Sequence, residues 1–261
     1  ETISDNDELL VQAGLVYHFN DSLGLYANYS ESQLPDLNNP DFSIAPPVRL
    51  GESLEAGLKY ALWDNRLTGS IGYFSIDEDL EGETFRQAEA TGFELDAFLR
   101  PSPQWTLAGS FAHADTEVLA SSNPSDVGDP LVDEVPNKAS LWGRYDFGQS
   151  TNGAGWAVGG GLVWTGKRVR PTAAAAQSVL ELNGRVLRYE PVTRLDLFTT
   201  YTLPVNDTLL EFSLNLRNLT EEDNLSNVVP RVPLQGGIKP NGDPYVFDGD
   251  TEIMLGLRVR R

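Results

Sequence analysis

Connections along this chain alternate strictly between short and long, and that regularity constrains the fold more than any single motif does. One hairpin sets the pattern. In residues 54–62, Leu54, Ala56, Leu58, Tyr60 and Leu62 fall on one face and Glu55, Gly57, Lys59 and Ala61 on the other, which is the period of two of a β-strand. Trp63-Asp64-Asn65-Arg66 then makes a tight turn with an aromatic beside it, and residues 67–74 return. A strand of a soluble sandwich alternates in the same way, so the hairpin acquires meaning through repetition.

The repeats run from end to end. Residues 9–19 carry Leu9, Val11, Ala13, Leu15, Tyr17 and Phe19 on one side, turn at 20–22 and return through 23–32. A Pro/Asn/Asp-rich loop at 33–53 precedes the organising hairpin, and a polar excursion at 77–83 follows it. Residues 90–100 place Phe93, Leu95, Ala97 and Leu99 opposite Glu94 and Asp96, and 101–104 is a compact turn. After the strand 105–115 comes an acidic loop, 116–137, longer than ordinary connections. Strands 138–147 and 156–165 flank the turn 148–155, and 192–203 and 208–218 flank the turn 204–207. The long loop between these hairpins contains residues 179–189, which read as a small hairpin on a type I′ Asn183-Gly184 turn. The longest loop, 220–250, leads to a closing strand at 251–261.

The sum is about eleven strands of about ten residues each, with connections sorted by length. Outer-membrane barrels have short periplasmic turns and long external loops, whereas nothing sorts loop lengths by end in a sandwich. Phe19, Trp63, Trp105, Phe147, Trp156 and Tyr201 all stand at the short-turn end, as an interfacial aromatic belt requires. The expected fold is therefore all-β: part of an antiparallel transmembrane β-barrel, closed because lipid-facing backbone must be fully paired.

Composition agrees and excludes alternatives. With 38 acidic against 19 basic residues and a net charge of -19, the chain repels nucleic acid and favours cationic partners. Zero cysteines exclude a disulfide scaffold and any cysteine-ligated metal. No apolar run reaches the roughly 20 residues of a membrane-spanning helix, and residues 1–5 lack the features of a signal peptide.

Specific stretches extend this reading. LGLYANYSES at 23–32, GESLEAGLKYALWDNRLTGSIGYF at 51–74, ATGFELDA at 90–97, VPNKASLWGRYDF at 135–147, TRLDLFTTY at 193–201, LNLRNLTEEDN at 214–224 and EIMLGLRVR at 252–260 resemble, in order, the C-terminal part of the barrel of TonB-dependent siderophore receptors. The resemblance implies a barrel of roughly 22 strands enclosing an N-terminal plug. It implies energy from the TonB-ExbB-ExbD system, contact with outer-membrane lipid and lipopolysaccharide, and location in the bacterial outer membrane. No covalent chemistry and no resident cofactor are expected, iron entering only within its siderophore. Half the expected strands and two unpaired edges mark residues 1–261 as the C-terminal portion of such a barrel, without plug or N-terminal strands. The family usually ends on an aromatic residue, and here Arg261 stands last. A passive porin, an adhesin barrel, or uptake of cobalamin, haem or carbohydrate are the alternatives. A soluble carbohydrate-binding or enzymatic domain would bury the apolar strand faces between two sheets.

Ligand-binding candidates combine rings with fixed charge in the long loops: Arg168, Arg170, Arg185, Arg188 and Tyr189 in one, Arg231, Lys239, Tyr245 and Phe247 in the last. Glu94, Asp96, Arg144, Arg194, Asp196, Glu211 and Arg217 lie on the polar strand face and read as lumen-facing wall. Rival sites are weaker. The glycines of 161–167 have phosphate-loop spacing, but Arg168 replaces the magnesium-binding hydroxyl and no helix follows. His18 and His113 sit inside strands with no cysteine or third histidine near. Asp77, Glu78, Asp79, Asp126, Asp129, Asp133 and Glu134 could offer oxygen to calcium but lack EF-hand spacing, and read as solvated loop.

Overall fold

The computed structural model describes residues 9–35, 48–80, 85–131, 134–149, 153–167, 191–221, 224–227, 246–248 and 251–260. Eleven strands form one antiparallel sheet in chain order. They are β1 (Gln12–Asn20), β2 (Leu23–Pro35), β3 (Val48–Leu62), β4 (Leu67–Leu80), β5 (Arg86–Leu99), β6 (Trp105–Ser121), β7 (Asn137–Gln149), β8 (Gly155–Thr165), β9 (Val192–Val205), β10 (Thr208–Arg217) and, beside β10, β13 (Glu252–Arg260). The sheet leaves β1 and β13 as its edges. A separate two-stranded ladder, β11 (Asn224–Asn227) with β12 (Val246–Asp248), lies within what the sequence presents as one loop. No described helix is long and apolar enough to cross a membrane.

The expected strands exist, but several run further toward the long loops. β4 runs to Leu80 and β6, with 17 residues, to Ser121, so the excursion expected from 77 begins only after Leu80 and the loop expected from 116 only after Ser121. The reason is that ladder hydrogen bonds ignore side-chain polarity. Arg49 pairs with Leu80, Glu52 with Asp77 and Glu31 with Glu52, so the backbone stays extended where the composition turns polar.

The organising hairpin turns on three left-handed residues, Trp63 (φ 53), Asp64 (φ 54) and Asn65 (φ 62), and Arg66 N donates to Trp63 O across 3.1 Å. Asp and Asn tolerate this region because their short side chains bond locally. Trp63 adopts it while standing exposed at the turn end.

The described chain gathers into two compact units. The first comprises residues 1–97, 111–137 and 169–173, the second 98–110, 138–168 and 174–261. In the first, pairing aligns Leu15, Ala27, Ala56 and Tyr73, and beside them Tyr17, Leu25, Leu58 and Ile71, on one face. In the second it aligns Val158, Thr199, Leu214 and Leu255, and beside them Trp156, Tyr201, Phe212 and Leu257. These apolar faces are open: Leu15 is 69% exposed, Tyr73 57% and Leu257 61%, and no second layer of described residues covers them. A soluble core would hide such side chains; a hydrocarbon solvent would not require it.

Turn-end aromatics cluster on the same faces. Tyr17 meets Phe19 edge-on at 5.2 Å, Tyr145 lies 4.9 Å from both Trp105 and Phe147, and Trp156 lies 5.3 Å from Tyr201.

On the opposite faces, rings lie flat across glycines of the next strand. A Cβ on Gly57 would come within 2.6 Å of the Tyr26 ring, and one on Gly161 would run into the Trp142 ring. Such stacking gives the neighbouring strand a side-chain cover that glycine cannot supply, and it pins register.

Candidate functional site

Among the described residues, charge that could meet a ligand concentrates on the polar faces. In the first unit, the Tyr26 hydroxyl donates to Glu55, and Lys59 Nζ stands 5.0 Å from the Tyr26 ring centroid. Phe74, opposite Glu55 in the ladder, covers Gly92, and strand alternation therefore puts Glu94 and Asp96 on this face too. Near the loop end, Glu78 of β4 bridges two arginines. One carboxylate oxygen lies 3.2 Å from Arg49 Nη1 of β3 and the other 3.1 Å from Arg86 Nη2 of β5.

In the second unit the polar face carries ion pairs at several levels. Arg144 Nη2 donates to Asp146 at 2.7 Å, two residues on along the same strand. Arg217 pairs with Glu252 at 3.0 Å, and Arg258 with Glu211 at 3.6 Å. Arg194 Nε lies 3.2 Å from Asp196 Oδ2 without an aligned hydrogen bond, so that pair is held by charge rather than by donor geometry. Half-exposed pairs of this kind contribute about 0–1 kcal/mol each, so they set the electrostatic pattern of the wall more than its stability.

Asp196 differs because its side chain is only 7% exposed. Asn218, left-handed at φ 54, donates its backbone N–H to Asp196 Oδ1 at 2.9 Å where β10 gives way to the last long connection. Leu219 N donates to Leu195 O at 2.8 Å, and Thr251 Oγ1 donates to Asn218 O at 2.9 Å. The two feet of that connection are thus tied to β9 and to each other.

Glu94, Asp96, Arg144, Arg194, Asp196, Glu211 and Arg217 all occupy polar-face positions. Arg168, Arg170, Arg185, Arg188, Tyr189, Arg231, Lys239 and Tyr245 lie outside the described residues, as does the expected hairpin at 179–189. Phe247 falls in β12, opposite Leu225. Glu78 is a correction: with Asp77 and Asp79 it belongs to β4 rather than to a solvated loop, and alternation divides the trio between two faces. Asp133 lies outside the described residues, and among those described no group of His, Asp and Glu is arranged to hold a metal ion. Residues 161–165 are strand β8, with Gly161 beneath Trp142, which leaves no loop to cradle phosphate. His113 is held between Asn137 at 3.0 Å and Asp115 at 3.2 Å.

Sequence reading missed Arg49, Arg86, Asp146, Glu252 and Arg258. Arg144-x-Asp146 was legible, since residues two apart share a strand face. The others depend on cross-strand register, which one sequence does not print.

The family model described as "TonB dependent receptor-like, beta-barrel" matches residues 1–219. The metal-pseudopaline receptor of Pseudomonas aeruginosa is 28% identical over 220 residues, 79% of this chain and 28% of its own. The ferrichrome receptor of Yersinia enterocolitica is 27% identical over 252 residues, 90% of this chain and 30% of its own. The solved ferric preacinetobactin receptor of Acinetobacter baumannii superposes with a TM-score of 0.69 at 19% identity, over 94% of this chain and 35% of that one, a likeness of fold. The chain thus spans less than a third of the length of these curated relatives.

Proposed function

This chain belongs to the TonB-dependent receptor β-barrel family, and on that premise we propose that it is the C-terminal portion of the barrel of an outer-membrane receptor that takes up a ferric siderophore. The apolar faces meet lipid and, toward the loop ends, lipopolysaccharide. The polar faces line the lumen, and the long connections reach outside to capture the chelate. The supporting observation is the open, aromatic-belted apolar face in a chain whose matched relatives include a metal-pseudopaline receptor and a ferrichrome receptor.

The mechanism is binding followed by rearrangement of a plug borne by the remainder of the full-length protein, driven by TonB-ExbB-ExbD. Iron is cargo within the chelate, and no resident cofactor and no bond-making step are required of this chain. A strain lacking the full-length gene should lose uptake of radio-iron presented as one ferric siderophore, and loss of TonB should abolish the same uptake. Uptake that survives loss of TonB would replace this reading with a passive porin.

A further inference from the structure

On the polar face of the second unit, the loop ends of three paired strands bring a ring and two cations onto consecutive rungs. Lys138 of β7 pairs with Thr165 and through it with Val192, Ser140 with Val163 and through it with Arg194, and Trp142 with Gly161 and through it with Asp196. Strand alternation puts Lys138, Trp142, Arg194 and Asp196 on one face. They stand where β7 begins, β8 ends and β9 begins, against two of the long connections.

Arg194 differs from its neighbours in how its donors are used. Arg144 donates to Asp146 through Nε and Nη2, and Arg217 donates Nη1 to Glu252. Arg194 makes no hydrogen bond among the described residues: its Nε is buried without a partner, 3.2 Å from Asp196 Oδ2 but misaligned. Asp196 is itself fixed, because its side chain is only 7% exposed and its Oδ1 accepts the Asn218 N–H. A buried carboxylate therefore anchors the guanidinium by charge alone. The two Nη groups keep their donors for a ligand, and the Arg194 side chain, 34% exposed, is within its reach.

Trp142 supplies an apolar surface one rung further in. Its ring lies across Gly161, so one face rests on β8 and the other is turned to the polar side. Phe198 covers Gly159 in the same way on the next rung, which paves the strand with rings where its glycines offer no side chain. Lys138, exposed and without an acid partner among the described residues, adds an ammonium at the rim.

We propose that Trp142, Arg194 and Lys138 form a subsite for a ferric chelate that carries a flat aryl ring beside its negative charge. The ring stacks on the indole while its oxygens accept from Arg194 and Lys138. This rests on the siderophore-receptor reading and adds the chemical class of the cargo, an aryl-oxygen chelate rather than an aliphatic one. Indole and guanidinium project from paired strands and are each held by a neighbour, so binding need not order them.

The test is equilibrium binding of three iron-loaded probes to the purified full-length protein: an anionic tris-catecholate, an anionic aliphatic hydroxycarboxylate and an uncharged tris-hydroxamate. The unaltered protein should bind the tris-catecholate most tightly. Trp142→Ala and Arg194→Gln should each weaken that binding by about tenfold, and Lys138→Gln by about threefold. Trp142→Phe and Arg194→Lys should retain part of it. Against the hydroxycarboxylate, Arg194→Gln should still reduce affinity while Trp142→Ala changes it little, a split that general loosening of the wall would not produce. Lys138→Gln alters an exposed side chain and keeps the test decisive where another variant folds poorly. Tighter binding of either other probe than of the tris-catecholate, tris-catecholate binding unchanged by these substitutions, or an equal loss for all three probes would overturn the aryl-anion assignment while leaving the siderophore reading intact. Binding of none of the probes by the unaltered protein would overturn the siderophore reading itself.

Discussion

Asp196 shows how one residue can hold a long connection in place. Its carboxylate is buried, faces Arg194 and accepts the backbone N–H of left-handed Asn218. Removing the acceptor breaks the buried Asn218–Asp196 hydrogen bond and takes the Asp196 counter-charge from Arg194, a loss of about 1–3 kcal/mol. Asp196→Ala should therefore lower the unfolding midpoint of the full-length protein in detergent. Asp196→Asn, which keeps an oxygen aimed at Asn218, should recover most of the difference. Equal midpoints for the two variants would assign the effect to the Arg194 charge pair instead. The polar-face position of Asp196 was legible from alternation alone. Its burial was not, because that depends on Asn218 bending back from β10, and Asn-Leu-Thr after a strand does not announce a left-handed cap.

At the scale of the element, the period of two decides everything a strand does. On β10, Leu214 pairs with Leu255 and Thr199 on the apolar face, while its neighbour Asn215 pairs with Met254 and Phe198 on the other. Leu214→Arg should cost about 2–4 kcal/mol of folding into bilayers, as charge at mid-depth does. Asn215→Arg, one residue on, should cost little; urea titration in vesicles measures both, and similar costs would mean that the lipid and lumen faces are misassigned. Strand identity and facing were readable because Leu, Tyr and Phe recur at alternate positions. Strand ends were not, because at 48–53 and 75–80 the side chains turn polar while the ladder continues. The loop-end triad was invisible for the same reason: Glu78 looks like loop until Arg49 and Arg86 are known to sit beside it. The β11–β12 ladder left no comparable trace, its strands being four and three residues long.

At the scale of the whole molecule, every residue of both edge strands, β1 and β13, is exposed along its length. Unpaired backbone of this kind recruits other strands. The chain expressed without the remainder of its protein should self-associate in micelles by light scattering, whereas the full-length protein stays monomeric. A monomeric isolated chain would mean that its edges protect themselves. The same ladders extend past the polar transition on the loop side, and β6 reaches 17 residues where about ten suffice to span hydrocarbon. On the proposed outer-membrane reading, the outer ends of the strands therefore act as stilts, lifting the long connections clear of the lipid headgroups. Grafting a foreign segment between Ser121 and Asn137 would then replace that connection while the submerged rungs keep their partners.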